Sequence, residues 1–271
     1  LTADDRAGVA DCVTFATAFS PVSRRAILMA SLGIGVGAGL MIQSAVEPIA
    51  ALWLLIGVAA FAGGLLSTWS PCGYSSISLL RQTGQGGAAL VRWLPTFFAH
   101  GLGYALGALL LGGLLGLVGR VLGFAGFSTT ALVLLALVGL IYGAHQLDFL
   151  RVPYPQRQAQ VPHDARQRFR KSTIGGLYGL ALGLNFLTYV QTPLLYFVTL
   201  AALLTGNVVE AIAIFAVFNL GRFLPIAVNM LPLPDHVIQA WLARNQERAA
   251  MLDGAILIVV GAALAVLVWF H

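Results

Sequence analysis

The sequence predicts an all-α integral membrane protein with about seven transmembrane helices. Of its 271 residues, 59% are hydrophobic and only 9% are charged, whereas roughly a quarter of the residues in a soluble domain are charged. The apolar stretches are long and free of charge, as spanning helices of about 20 residues require, and they lack the alternating ten-residue pattern of a β-barrel. We therefore expect a helical bundle in a lipid bilayer and exclude an ordinary soluble enzyme.

Seven predicted spans follow from hydropathy, and basic residues set their direction. The spans lie near residues 26–46, 49–81, 93–119, 128–147, 173–205, 208–230 and 252–270. Loops rich in Lys and Arg stay in the cytoplasm. If the N-terminus is cytoplasmic, thirteen basic residues fall on the inner side and only Arg120 on the outer side. This predicts a multi-pass protein of the cell inner membrane with a periplasmic C-terminus, and it explains the net charge of +5 without a nucleic-acid partner.

Two of the apolar stretches are too long for one straight span. Residues 48–80 and 172–209 hold no charged residue, and each contains a proline in similar surroundings. The matching segments are Ser70-Pro71-Cys72-Gly73-Tyr74 and Thr192-Pro193-Leu194-Leu195-Tyr196. Because three helices is an odd number, a second three-helix repeat enters the membrane from the opposite side. We predict an arm and first helix (1–48), repeat 1 (49–147), a basic cytoplasmic loop (148–172) and an inverted repeat 2 (173–271).

The two prolines are expected to break their helices and to open a cavity. Proline lacks a backbone N–H and disrupts the preceding turn, and inside a membrane the freed carbonyl groups must find partners within the protein. The alternative is that each proline merely kinks its span. The residues expected at this helix-break cavity are Ser70, Pro71, Tyr74, Gln191, Thr192, Pro193 and Tyr196.

Four further polar residues fall within predicted spans. Arg222 is a functional candidate because an ionised side chain is costly at depth, although it instead reaches the cytoplasmic interface if its span ends early. No other His, Cys or carboxylate stands at a metal-ligand spacing from His100, so we expect no metal or cofactor there. We expect His100 instead to form a hydrogen bond between helices. Asn185 and Asn219 are expected either to line the cavity or to join helices.

The chain resembles the DsbD/CcdA superfamily of membrane thiol–disulfide electron carriers. This resemblance rests on the Pro-Cys pair at the first break, on the paired prolines and on the predicted arrangement of two three-helix repeats. More narrowly, the chain resembles the MauF family. This resemblance is carried by residues 69–81 and 185–193, and it covers the rest of the chain with less specific matches. It implies an accessory factor, rather than an enzyme, for production of methylamine dehydrogenase, a periplasmic enzyme with a disulfide-rich small subunit. The partners that it implies are that small subunit, the thioredoxin-like protein MauD and the membrane protein MauE.

The sequence departs from the superfamily pattern at the second break. DsbD/CcdA carriers use one cysteine in each repeat, and here Leu194 stands opposite Cys72. Cys72 is the candidate redox thiol, and Cys12 lies before the first span. A lone Cys72 can form a mixed disulfide with a partner but cannot complete an intramolecular cycle unless Cys12 reaches it. The alternative is a transporter for a small solute or ion that uses the same repeats without redox chemistry.

Overall fold

The protein is an α-helical bundle. The computed structural model describes residues 19–45, 47–82, 84, 86–153, 169–188 and 190–270, and in these ranges it contains helices and connecting segments but no strand. Cys12 and most of the predicted basic loop lie outside the described residues. The helices are α1 (Pro21–Gln43), α2 (Pro48–Leu66), α3 (Pro71–Leu79), α4 (Gly87–Val121), α5 (Thr129–Gln146), α6 (Lys171–Gly183), α7 (Leu194–Leu204), α8 (Val208–Phe223) and α9 (Asp235–Trp269).

Within the described residues, six helical segments are long and apolar enough to cross a membrane. They are α1, α2 with the 3-10 turn Ser67–Trp69, α4, α5, α8 with the 3-10 turn Leu224–Met230, and α9. The predicted span at 173–205 is instead divided between α6 and α7, which have 13 and 11 residues. Neither is long enough to span the bilayer alone, at 1.5 Å per residue. The chain is therefore a multi-pass membrane protein in which the residues of the fifth predicted span form two short helices.

Local sequence signals explain where several helices begin. Ser20 and Ser128 precede α1 and α5, and each side-chain oxygen accepts a hydrogen bond from a backbone N–H in the first turn. Asn207 does the same for α8, accepting from Val209 and Glu210. These side chains satisfy backbone donors that have no partner within the helix. The last helix differs most from its predicted bounds, because α9 starts at Asp235 and not near residue 252.

Glycines allow several helices to approach closely. On α1, Gly35 and Gly39 are buried against the α9 backbone at Val259 and Ala263, whereas a side chain at Gly33 or Gly37 would meet open space. This spacing of four residues places one small face of α1 against α9. The close helix contact explains how a helix with exposed apolar side chains on its other face is held to the bundle.

Ion pairs join segments that the sequence places on one side of the membrane. Arg24, near the start of α1, pairs with Glu247 on α9 at 3.1 Å and also with Asp148 beyond the end of α5. Arg81, after α3, pairs with Asp235 at the start of α9 at 3.4 Å. These contacts gather the segments around residues 24, 81, 148 and 235–247 at one end of the bundle. That arrangement agrees with their predicted common location on the inner side.

Candidate functional site

The first helix break lies between α2 and α3. The 3-10 turn Ser67–Trp69 ends α2, and the extended backbone of Ser70 separates this turn from α3. The hydroxyl of Ser70 donates to the carbonyl oxygen of Ser67 at 2.6 Å and accepts from the N–H of Gly73 at 3.4 Å. Pro71 takes the first helical position, where its missing N–H costs nothing. The sequence-predicted break is therefore a capped helix start.

Cys72 is the second residue of α3 and is buried, with 3% of its surface exposed. It packs with Tyr104 of α4 and Leu182 of α6. It also interacts electrostatically with Arg222 of α8. A nearby guanidinium favours a negatively charged sulfur, whereas burial among apolar side chains favours the neutral thiol. Tyr74, two residues later, packs instead on the Ile77–Ile238 cluster between α3 and α9.

Arg222 is buried in the bundle, with 5% of its surface exposed. Nη1 donates to the carbonyl oxygen of Leu182 and to Oδ1 of Asn185, both at 2.8 Å, and Nη2 donates to Oγ1 of Thr188 at 3.4 Å. Its Nε has no hydrogen-bond partner, and no carboxylate pairs with it among the described residues. Among the described residues, the guanidinium donates its hydrogen bonds to uncharged oxygens. Because the side chain is buried in the bundle, it does not extend to the cytoplasmic interface, which is the alternative considered from the sequence.

Asn185 and Asn219 extend the same network. Nδ2 of Asn185 donates to Oδ1 of Asn219 at 3.0 Å, and Nδ2 of Asn219 donates to the carbonyl oxygens of Tyr104 and Gly183, each at 3.0 Å. Asn185 has a φ of 56°, in the left-handed region that Asn tolerates better than most residues. Arg222, Asn185, Asn219 and Thr188 therefore form one buried polar cluster that ties α8 to the segment after α6.

His100 lies outside this cluster and joins two helices. Its Nδ1 is 2.9 Å from the carbonyl oxygen of Gly175 on α6, and its ring meets Tyr104 edge to face at 5.0 Å. The described residues contain no group of three or more His, Cys, Asp or Glu side chains arranged for a metal. The position of His100 matches the helix-to-helix hydrogen bond that the sequence suggests.

The second break precedes α7 and faces α9. Pro193 is the N-cap of α7, and the hydroxyl of Thr192 donates to a carboxylate oxygen of Asp253, which is 1% exposed. Gln191 accepts a hydrogen bond from Gln246 of α9 at 3.4 Å. Tyr196 stacks on Tyr142 of α5, with ring centroids 5.4 Å apart. The second break is thus tied to both α5 and α9.

A small cavity lies between the two breaks. Of the residues predicted at the helix-break cavity, it is lined by Gln191 and Thr192, whereas Ser70, Tyr74, Pro193 and Tyr196 are not part of its lining. Its other lining residues come from the end of α2 and its 3-10 turn, from α5 and from α9, namely Leu66, Trp69, Gln146, Gln246, Ala249, Ala250 and Asp253. Sequence reasoning missed Asp253, although a carboxyl within an apolar span is itself a signal of function.

Helices long enough to span a membrane, a predicted span divided into two short helices, and buried polar groups at the helix breaks together define a multi-pass membrane protein. The family model for the cytochrome c biogenesis protein transmembrane region matches residues 82–264, which is more than half of the chain. The match begins after Cys72, so the first break lies outside it. No solved structure is significantly similar to the chain.

Relatives that match nearly the whole chain define its family more closely. The methylamine utilization protein MauF of Paracoccus denitrificans is 64% identical over 97% of this chain and 94% of its own length. MauF of Paracoccus versutus is 66% identical, over 96% and 93%. MauF of Methylorubrum extorquens is 58% identical, over 94% and 90%. The chain belongs to the MauF family of methylamine utilization proteins.

Proposed function

We propose that the chain is an inner-membrane accessory protein that supports production or maturation of periplasmic methylamine dehydrogenase. The observation that carries this proposal is the identity of 64% and 66% to two proteins named for methylamine utilization, over nearly the full length of each chain. In this reading its partners are the small subunit of the dehydrogenase, the thioredoxin-like protein MauD and the membrane protein MauE. The membrane location fits a role next to a periplasmic enzyme.

We further propose that Cys72 relays thiol–disulfide exchange between two partner proteins. The Cys72 thiolate attacks a partner disulfide, forms a mixed disulfide and releases the other partner sulfur as a thiolate. One thiolate of the second partner's dithiol then attacks the Cys72 sulfur and expels the remaining sulfur of the first partner as a thiolate. The other thiolate of the dithiol attacks the new mixed disulfide, expels the Cys72 thiolate and closes the second partner's own disulfide. Two electrons pass from dithiol to disulfide, and Cys72 returns to its starting state. This sequence needs no second cysteine in the chain, which suits the presence of Leu194 at the other break.

A complementation experiment tests both parts of the proposal. The gene is deleted in a methylotroph that grows on methylamine, and it is restored as the unchanged chain, as Cys72→Ser or as Cys12→Ser. We expect deletion and Cys72→Ser to abolish mature dehydrogenase activity at normal membrane levels of the protein, and Cys12→Ser to preserve it. Full activity with Cys72→Ser would exclude the thiol relay. Normal dehydrogenase in the deletion strain would exclude the accessory role.

A transporter for a small solute or ion is the second candidate function. Two observations favour it: the second break lacks a cysteine, and buried ionisable side chains, Asp253 and Arg222, lie at or next to the helix breaks. Intramembrane ionisable residues mark substrate and ion pathways in many membrane proteins. In this case Cys72→Ser is silent, whereas substitutions at Asp253 or Arg222 abolish function without loss of the protein from the membrane.

A further inference from the structure

Asp253 is a carboxyl group buried inside a membrane-spanning helix. It belongs to α9, one of the segments long and apolar enough to cross a membrane, and only 1% of its surface is exposed. No Lys or Arg among the described residues pairs with it. An ionised carboxylate without a cationic partner is strongly disfavoured in such surroundings. The carboxyl group of Asp253 therefore needs either a bound cation or a proton that neutralises it.

The two carboxylate oxygens of Asp253 have different surroundings. Oδ1 accepts a hydrogen bond from the hydroxyl of Thr192, and the N–H of Leu194 also donates to this carboxyl group. Oδ2 is buried and has no hydrogen-bond partner among the described residues. A protonated carboxylic acid gains one O–H donor, whereas the ionised form only accepts. The donors around Oδ1 leave Oδ2 as the oxygen that is available for a proton.

A cavity adjoins this carboxyl group and provides acceptors for that proton. Its polar lining includes the amide side chains of Gln146, Gln191 and Gln246 together with Thr192 and Asp253. Its accessible space of about 20 Å³ suits one or two water molecules, since a water needs about 10–15 Å³ by this measure. Gly254 lies against Gln146, which holds the end of α5 next to Asp253. An amide oxygen or a water molecule in the cavity is thus able to accept or deliver the proton.

Among the described residues, Asp253 is the one ionisable side chain in the lining of the cavity. The titratable and charged groups on the elements packed around Asp253 lie outside the lining, and they are Arg24 and Arg25 on α1, Cys72 and Tyr74 on α3, Tyr142 and His145 on α5, Tyr196 on α7, and Asp235, His236, Arg244, Glu247 and Arg248 on α9. Glu247, the nearest carboxylate along α9, pairs with Arg24. Asp253 is therefore the acidic group of this cavity in the described part of the chain.

We propose that Asp253 is a proton-binding site, served by the cavity between the two helix breaks. The group that takes up the proton also holds Thr192 and Leu194 on either side of Pro193, so protonation changes the hydrogen bonding of the second break to α9. Proton uptake and release at Asp253 thereby couple to how α7 begins. This inference does not depend on the chemistry of Cys72 or on the proposed accessory role.

Infrared difference spectroscopy on the full-length protein in lipid nanodiscs tests the proposal. As pH is raised, we expect the carbonyl band of a protonated carboxylic acid to disappear from the unchanged chain. Asp253→Asn, which keeps the shape of the side chain but cannot titrate, should lack this band change. Asp235→Asn, the same substitution at a partly exposed, ion-paired carboxylate of α9, should retain it. A band change that survives in Asp253→Asn would overturn the assignment.

Labelling of the unchanged chain tests the same site even if Asp253→Asn fails to fold. A hydrophobic carbodiimide reacts with protonated carboxyl groups in apolar surroundings, and mass spectrometry locates the modified residue. We expect modification of Asp253 to fall at least tenfold as pH rises and to be unaffected by Na⁺ at constant pH. Equal modification at every pH, or protection by Na⁺ alone, would refute a proton site and indicate a permanently charged or sodium-binding carboxylate.

Discussion

Nη1 of Arg222 donates a hydrogen bond of 2.8 Å to Oδ1 of Asn185, across the gap between α8 and the segment that follows α6. The amide of Asn185 in turn donates to Asn219, one turn before Arg222 on α8. The two contacts place the segment between α6 and α7 against α8 through buried polar groups. The irregular backbone after α6 is held in place by side chains, as a non-helical segment at membrane depth requires.

Two substitutions of Asn185 separate backbone strain from hydrogen bonding. Both Asn185→Ala and Asn185→Gly lose the contacts to Arg222 and Asn219, which leaves buried groups unpaired at about 1–3 kcal/mol each. Alanine also pays about 1 kcal/mol for the left-handed backbone, which glycine adopts freely. We expect the thermal unfolding midpoint in detergent to be highest for the unchanged chain, lower for Asn185→Gly and lowest for Asn185→Ala. A glycine variant less stable than the alanine variant would contradict this account of the strain.

The charge of Arg222 should control the reactivity of Cys72. Arg222→Gln keeps hydrogen-bond donors near Leu182 and Asn185 but removes the positive charge that favours a thiolate. We expect alkylation of Cys72 by a small membrane-permeant reagent to slow several-fold at neutral pH. Mass spectrometry of the Cys72 peptide measures the rate. Arg244→Gln, at an exposed position of α9, is the control and should leave the rate unchanged. Equal rates in all three proteins would show that Arg222 does not act on the thiol.

Much of the fold is predictable from the sequence, because charge-free length and proline position are local signals. The division of the predicted span 173–205 into α6 and α7 follows from its excess length and from Pro193. The meeting of Asn185, Asn219 and Arg222 is not predictable in this way, since it depends on how the segment after α6 folds back onto α8. The predicted repeat boundaries and the inverted relationship of the repeats stay predictions.

Asp253 shows why one site residue escaped the sequence analysis. With a span predicted at 252–270, Asp253 falls at the membrane edge, where a carboxylate is solvated and unremarkable. In the structure α9 already begins at Asp235, so Asp253 lies in the middle of a continuous helix and faces the second break. The packing of the second break against α9 buries this carboxyl group, and no local sequence signal predicts that residues 192 and 253 meet.

Glycine substitutions on α1 test the packing of the first helix. Gly39→Leu places a side chain against the α9 backbone at Ala263, whereas Gly37→Leu points into open space on the same helix. We expect Gly39→Leu to displace α1 and to reduce the amount of folded protein in the membrane, with a lower unfolding midpoint. Gly37→Leu has the same change in volume and should behave like the unchanged chain. Equal loss in both variants would mean that α1 does not pack through this face.

The orientation of the bundle is the last prediction, and it combines charge placement with the observed ion pairs. Arg24 pairs with Glu247 and with Asp148, so the segments around these residues share one end of the bundle. That end carries most of the basic residues, and basic loops stay in the cytoplasm. Reporter fusions near Gln160 should therefore be active as cytoplasmic reporters, and fusions after His271 as periplasmic ones. A fusion at Arg120 serves as an internal control on the periplasmic side. Periplasmic activity near Gln160 would contradict the predicted orientation of the bundle, because Asp148, which precedes that loop, lies at the same end as Arg24 and Glu247.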